Sequence, residues 1–100
     1  MKLKVLFRPT AEEDLEALHD YIARDSPERA DTFIARIRER CSQLADFPAM
    51  GPPRDDIRLG IRLLTVDRRA IIAYEIQGSV RIIRVFYRGR DVEALLSRGK

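Results

Sequence analysis

One hundred residues, 45% of them hydrophobic and one a cysteine, describe a chain long enough for a single core and too poor in cysteine for a disulfide framework. No stretch approaches the run of about 20 apolar residues that a membrane span requires, and Arg8 and Pro9 cut the opening "MKLKVLF" too early for a secretory signal, so a cytoplasmic protein is expected. The net charge of +3 hides a division: residues 1–47 hold eight Lys or Arg against ten Asp or Glu, and residues 48–100 hold eleven against six. The basic second half suits an acidic partner, either nucleic acid or an acidic protein segment.

In chain order, "LKVLFR" from Leu3 alternates apolar and polar residues and predicts a first strand. Thr10 with Glu13 reads as a capping box opening a helix to about Arg24, with an apolar stripe of Ala11, Leu15, Leu18 and Ile22. Ser26 as N-cap and Pro27 at the first helical position start a second helix, because proline lacks only an N–H that would be orphaned there. Its stripe is Ala30, Phe33, Ile34, Ile37, Cys41 and Leu44. The two helices form a hairpin. From Pro48 to Gly60 the concentration of Pro, Gly and Asp predicts an ordered loop.

Runs from Ile61, Ala70 and Val80, separated by "DRR" and "QGS", predict an antiparallel meander, and "DVEALLSR" from Asp91 adds one or two helical turns. The expected fold is therefore α+β in the order β-α-α-β-β-β, one domain over residues 1–100, with the hairpin on one face of a mainly antiparallel four-stranded sheet. Strict alternation puts Val80, Ile82, Arg84, Phe86 and Arg88 on one side of the last strand and Arg81, Ile83, Val85 and Tyr87 on the other. Both sheet faces are then largely apolar. A two-helix hairpin covers only one, leaving an open face of apolar, aromatic and arginine residues suited to binding a protein. The alternative is that the 48–60 loop and the C-terminal segment fold over that face.

Chemistry is sparsely signalled. His19 beside Asp20 lacks further metal ligands, Cys41 lies on the apolar stripe of the second helix, and Asp55 and Asp56 are adjacent on a loop rather than facing one another across a gap. No nucleotide-binding or hydrolase spacing is present, and no cofactor or metal is expected. Arginines are the remaining resource. With Tyr87 as acid or base, they make a metal-free ribonuclease conceivable.

The ordered set "RPTAEEDLEALHDYIARDSPERADTFIARI", "LADFPAMG", "RRAIIAYEI" and "VRIIRVFYRGRD" resembles the ParE branch of the ParE/RelE toxin superfamily over nearly the whole chain. Its characteristic pieces here are Ala11, Asp14, Leu15, Tyr21, Ile22, Pro27, Ala30, Leu44, Pro48, Gly51, Tyr74, Arg90 and Asp91. The resemblance implies a type II toxin, neutralised by a cognate antitoxin and poisoning DNA gyrase by binding rather than by catalysis. The RelE branch implies instead a ribosome-dependent messenger ribonuclease, which here would use Arg62, Tyr87 and Arg88. Leu64, Ile71 and Ala94 stand where that branch carries lysine, arginine and tyrosine, which weakens the nuclease reading. Tyr87 also stands where many ParE-like chains carry histidine. An acidic, amphipathic antitoxin segment is expected along the hairpin and the open sheet face, meeting Arg62, Arg84, Phe86 and Arg88. A third reading is an inactive relative kept as a binding module.

Overall fold

Seven elements lie among the described residues of the protein, whose structure is a computed structural model. In order they are β1 (Val5–Phe7), α1 (Pro9–Ala23), α2 (Pro27–Gln43), β2 (Arg62–Val66), β3 (Ala70–Ile76), β4 (Val80–Tyr87) and α3 (Val92–Arg98). The structure describes residues 2–87 and 92–98. The four strands form one sheet in the order β1-β4-β3-β2, with β1 parallel to β4 and the other neighbours antiparallel. The expected order and sheet are present, and a short C-terminal helix completes them.

Ala11, Leu15 and Leu18 of α1 and Phe33, Ile37 and Cys41 of α2 pack on Leu64, Val66, Ile72, Tyr74, Val80, Ile82 and Val85. Each large side chain buried in this layer is worth about 1.5–3 kcal/mol relative to exposure. Ser26 caps α2 as its sequence predicts, its Oγ accepting from the Arg29 N–H at 3.2 Å. The start of α1 differs from expectation. Arg8 is its N-cap and makes no side-chain cap bond, while Thr10 donates its hydroxyl to the Ile83 carbonyl at 2.8 Å. The anticipated capping box gives way because β4 has an edge to satisfy.

That edge arises because β1 is only three residues long and pairs with β4 from Val80 to Ile82. Beyond it the outer side of β4 would carry unpaired backbone groups. Residues at the start of α1 continue where β1 stops. The Arg8 N–H donates to the Ile82 carbonyl at 2.9 Å, Thr10 serves the Ile83 carbonyl, and the Asp14 carboxylate accepts the Val85 N–H at 2.9 Å. Asp14 also takes a two-point bond from Arg84, at 2.7 and 3.0 Å.

Strict alternation along β4 does not hold. Ala73 pairs with Arg84 while Tyr74 pairs with Ile82, so Ile83 is an extra residue with no partner on β3, a β-bulge. Val80, Ile82, Val85 and Tyr87 consequently share the helix-facing side, and Ile83 and Phe86 turn to the other. The outer face is not open. Leu96 of α3, 2% exposed, joins Ile61, Ala73, Ile83 and Phe86 in a second buried cluster, flanked by Ile57 from the long loop and by Val92 and Leu95. The alternative covering by loop and C-terminal segment is the one realised.

The 48–51 segment is tied to β3 by one hydroxyl. Tyr74 is fully buried; its Oη donates to the Pro48 carbonyl at 2.7 Å and accepts from the Gly51 N–H at 2.8 Å. A Cβ on Gly51 would stand 2.9 Å from the Leu63 carbonyl oxygen and from the Tyr74 ring, so only glycine fits. Tyr74→Phe strands a buried N–H and is expected to lower stability by about 1–3 kcal/mol. In urea denaturation this appears as a lower midpoint with unchanged slope, and a midpoint equal to wild type would refute the role assigned to the hydroxyl.

Candidate functional site: a groove at the tip of the helical hairpin

The α1–α2 turn overhangs the end of the sheet at which β4 finishes and β3 begins. Between them lies a groove of about 830 Å³ whose walls include Tyr21, Ile22, Phe33, Arg36, Arg69 and Tyr87. Tyr87 reaches it because the bulge has turned its side chain to the helix-facing side. There its ring meets Tyr21 edge-on at 5.9 Å between centroids and Phe33 at 6.3 Å. Tyr21 lies off the apolar stripe of α1 and is 58% exposed.

The basic wall is built by the β2–β3 turn. Asp67 and Arg68 both adopt positive φ, 53° and 59°, and the Arg69 N–H donates to the Val66 carbonyl, which makes a type I′ turn without glycine. This is a costly conformation for residues bearing a Cβ. Arg36 of α2 holds it with a two-point bond to the Asp67 carboxylate, both distances 2.7 Å. The Arg36 bond keeps Asp67 ionised below the usual carboxylate range, so the clamp persists until strongly acidic pH. With the turn fixed, Arg69 lays its guanidinium 4.5 Å from the centre of the Phe33 ring. Asp25, Ser26, Glu28, Arg29 and Thr32 complete the rim.

The sequence-predicted residues do not gather in one place. Arg62 faces the helices at the far end of the sheet and donates to the Gly51 carbonyl at 2.7 Å. It pairs in register with Tyr74, whereas Tyr87 pairs with Ala70. Four residues along the strand and two strand spacings put Arg62 and Tyr87 roughly 16 Å apart. Arg84 is committed to Asp14 and stacks over Phe86 at 5.3 Å. Phe86 is 1% exposed under α3 rather than on an open face. Arg88, with Gly89, Arg90 and Asp91, lies outside the described residues.

The remaining candidates are structural. Cys41 is buried, and burial pushes its thiol up to about 12, which leaves it inert as a nucleophile. His19 is on the surface of α1, its Nε2 2.7 Å from the Asp31 carboxylate of α2 and its Nδ1 3.7 Å from Asp20. Asp31 and Cys41 are ten positions apart on one helix, about 15 Å at the helical rise, so no Cys-His pair forms. Asp55 accepts the Gly60 N–H and Asp56 is held by Arg54, as loop residues would be. Among the described residues no group of three or more His, Cys, Asp or Glu could hold a metal ion, and no helix is long and apolar enough to cross a membrane.

Solved structures share this fold. A chain of the chromosomal ParDE toxin-antitoxin system from P. aeruginosa aligns with a TM-score of 0.75 and 24% identity, over 86% of this chain and 96% of that one. A chain of the RelBE2 toxin-antitoxin complex from Mycobacterium tuberculosis aligns with a TM-score of 0.67 and 25% identity, over 88% of this chain and 100% of that one. The fold is thus one found in type II toxin-antitoxin complexes. Within that class, residues 5–92 match the family model described as the ParE toxin of the type II toxin-antitoxin system parDE, and the chain belongs to this family. It is also similar to "Putative toxin Y4kP" of Sinorhizobium fredii, 34% identical over 73 residues, which are 73% of this chain and 75% of that protein.

His19 gives a pH test of the hairpin. Its hydrogen bond to Asp31 raises its pKa above the ordinary 6.5. The contact's stabilisation is therefore complete below that ordinary value and fades as pH rises through the raised one. An NMR titration of the imidazole is expected to give a midpoint above 6.5 in the wild type and a lower one in Asp31→Asn. Identical midpoints would show that the contact is not kept in solution.

Proposed function

We propose that this chain is a growth-inhibiting toxin that acts in the cytoplasm by binding and poisoning DNA gyrase, and that a cognate antitoxin with an acidic, amphipathic C-terminal segment neutralises it. The observation that carries this reading is the family match over residues 5–92, made by a chain whose fold is that of toxin-antitoxin partners. The site geometry supports a binding protein rather than a nuclease. A metal-free ribonuclease needs its base, its acid and its phosphate-binding cations around one scissile bond, within hydrogen-bond reach. Arg62 is occupied by the Gly51 carbonyl at one end of the sheet, and Tyr87 stands in an aromatic cluster at the other.

The placement of the antitoxin also shifts. An acidic segment lying on the outer face would compete with Asp14 for Arg84 and would reach Phe86 only with α3 displaced. Contacts at Arg84 and Phe86 therefore belong to a rearranged outer face, whereas the hairpin side is accessible as it stands.

Induction of the chain in growing cells tests the function directly. Gyrase-linked double-strand DNA ends and a filamenting response are the expected outcome, relieved by co-expression of the small protein encoded by the adjacent reading frame. Messages cut at codon boundaries with intact DNA would instead establish the ribonuclease. Unimpaired growth would reduce the chain to a binding module.

A further inference from the structure

We infer that the groove at the hairpin tip binds a short length of unpaired DNA strand, with one base stacked on Tyr21 and the phosphate beside it held by Arg69. The choice of DNA over RNA rests on the gyrase reading above, since a toxin that leaves gyrase-linked ends acts where DNA strands are parted. The affinity for a strand rests on the groove's own residues.

Unpaired arginines gather at this end of the molecule. Arg36, Arg38, Arg54, Arg58 and Arg84 each stand 3.8 Å or less from a carboxylate. Arg24, Arg29, Arg68 and Arg69 have no such pair among the described residues, and they lie at the end of α1, at the start of α2 and in the β2–β3 turn. Asp67 is engaged by Arg36 at two points and also feels the charge of Arg69, which helps hold its carboxyl below the usual range. Arg69 nonetheless donates to no carboxylate; its guanidinium rests 4.5 Å from the centre of the Phe33 ring with its N–H groups left to grip a phosphate. Against these cations stand Asp25 and Glu28 of the groove rim, themselves without an ion pair among the described residues. Arg29 offsets Glu28 beside it, so the surplus of positive charge falls at Arg68 and Arg69 on the turn.

Aromatic surface supplies the other half of the recognition. Tyr21 is 58% exposed, its ring meets Tyr87 edge-on at 5.9 Å, and the Arg24 guanidinium stands 5.9 Å from its centre. The ring is thus held in place while most of its surface meets solvent. An aromatic platform beside a basic wall is the pairing that binds single strands, because every base has a face to stack and every nucleotide a phosphate to neutralise. A volume of about 830 Å³ has room for one or two nucleotides. Asp25 and Glu28 fix the orientation: they repel phosphates from the hairpin wall and can accept the amino N–H groups of cytosine or adenine. The strand therefore runs with its backbone along the β2–β3 turn and its bases toward the hairpin, an arrangement closed to a paired duplex.

Fluorescence anisotropy of the full-length chain with a labelled oligodeoxycytidine of about 12 nucleotides, repeated as salt is raised, reads both contacts. Tyr21→Ala is expected to bind about 10- to 100-fold more weakly, and Tyr21→Phe, which keeps the ring, to bind as wild type. Arg69→Ala should weaken binding and reduce the slope of log K against log salt by about 0.7, the contribution of one phosphate. Lys4 bonds through its carbonyl to Val80, at the other end of β4 and about 23 Å along the strand from Tyr87. Lys4→Glu removes more charge than Arg69→Ala from a site beyond the screening length, and should change the affinity by no more than about twofold. Circular dichroism melts check that each variant folds. Equal weakening by Lys4→Glu and Arg69→Ala, wild-type affinity in folded Tyr21→Ala, or equal affinity for a blunt duplex overturns the strand site and leaves the gyrase reading intact. Displacement of the strand by an equimolar oligoglutamate peptide would make the groove a carboxylate site and overturn it likewise. A preference of about tenfold for the matching oligoribocytidine overturns the choice of DNA. Strand binding by a chain whose induction leaves no gyrase-linked ends would keep the groove and overturn the gyrase reading alone.

Discussion

The Asp14 carboxylate bonds at once to a backbone amide and to a guanidinium, and the arrangement of β4 depends on it. β4 is longer than the strand beside it, so from Ile83 onward its outer edge has no ladder partner. An amide left dry there would cost on the order of 1–3 kcal/mol, and a long free edge would invite pairing with other chains. Thr10 and Asp14, one helical turn apart on α1, meet the Ile83 carbonyl and the Val85 amide in turn. Asp14 is 16% exposed and Arg84 27%, so their pairing is screened less than a surface ion pair. The same contacts dock α1 on the sheet, and with it the hairpin that covers the core.

The bulge at Ile83 lies between these two contacts, and the site follows from its position. By inserting one residue it lets Ile82 and Val85 both face the helices, then carries Tyr87 to the hairpin and Phe86 to α3. One irregularity thereby supplies the aromatic floor of the groove and the largest ring of the second core. At the other end of the sheet, Tyr74 and Arg62 serve the loop carbonyls of Pro48 and Gly51, which fixes the approach to β2. The two ends therefore do different work: one holds a loop in place, and the other presents an aromatic and basic surface toward solvent.

Much of this was legible in the residues. Apolar stripes and the Ser26–Pro27 start located both helices, because a period of 3.6 and a capped first turn are local properties. The resemblance picked out Asp14, Gly51 and Tyr74 as a set, and each proves to hold a contact between distant segments. Three features were not legible. A bulge leaves no mark in a run as uniformly apolar as "VRIIRVFY", so alternation failed at Ile83. Thr10 followed by Glu13 satisfies the local rule for a capping box, and only the tertiary demand of the β4 edge overrides it. The helical turns of α3 were expected, but their seating was left as one of two alternatives, because a helix this short has little stability alone and owes its place to Leu96 under the outer face. The candidate groove was missed for a related reason: Tyr21, Phe33, Arg69 and Tyr87 come from four separate segments, and although Tyr21 and Tyr87 were each singled out, nothing local in the sequence joins them.

A fold of this size has few ways to keep an exposed surface rigid, and here rigidity is imported from the closed edge of β4 and the clamped β2–β3 turn. The first of these is open to a direct measurement, amide hydrogen exchange at Val85 in wild type and in Asp14→Ala. With Asp14 present, the Val85 amide should be protected like those paired within the sheet, and with alanine it should exchange at least tenfold faster while Tyr74 stays protected. Equal protection of Val85 in the two proteins would contradict the claim that a side chain of α1 closes the strand.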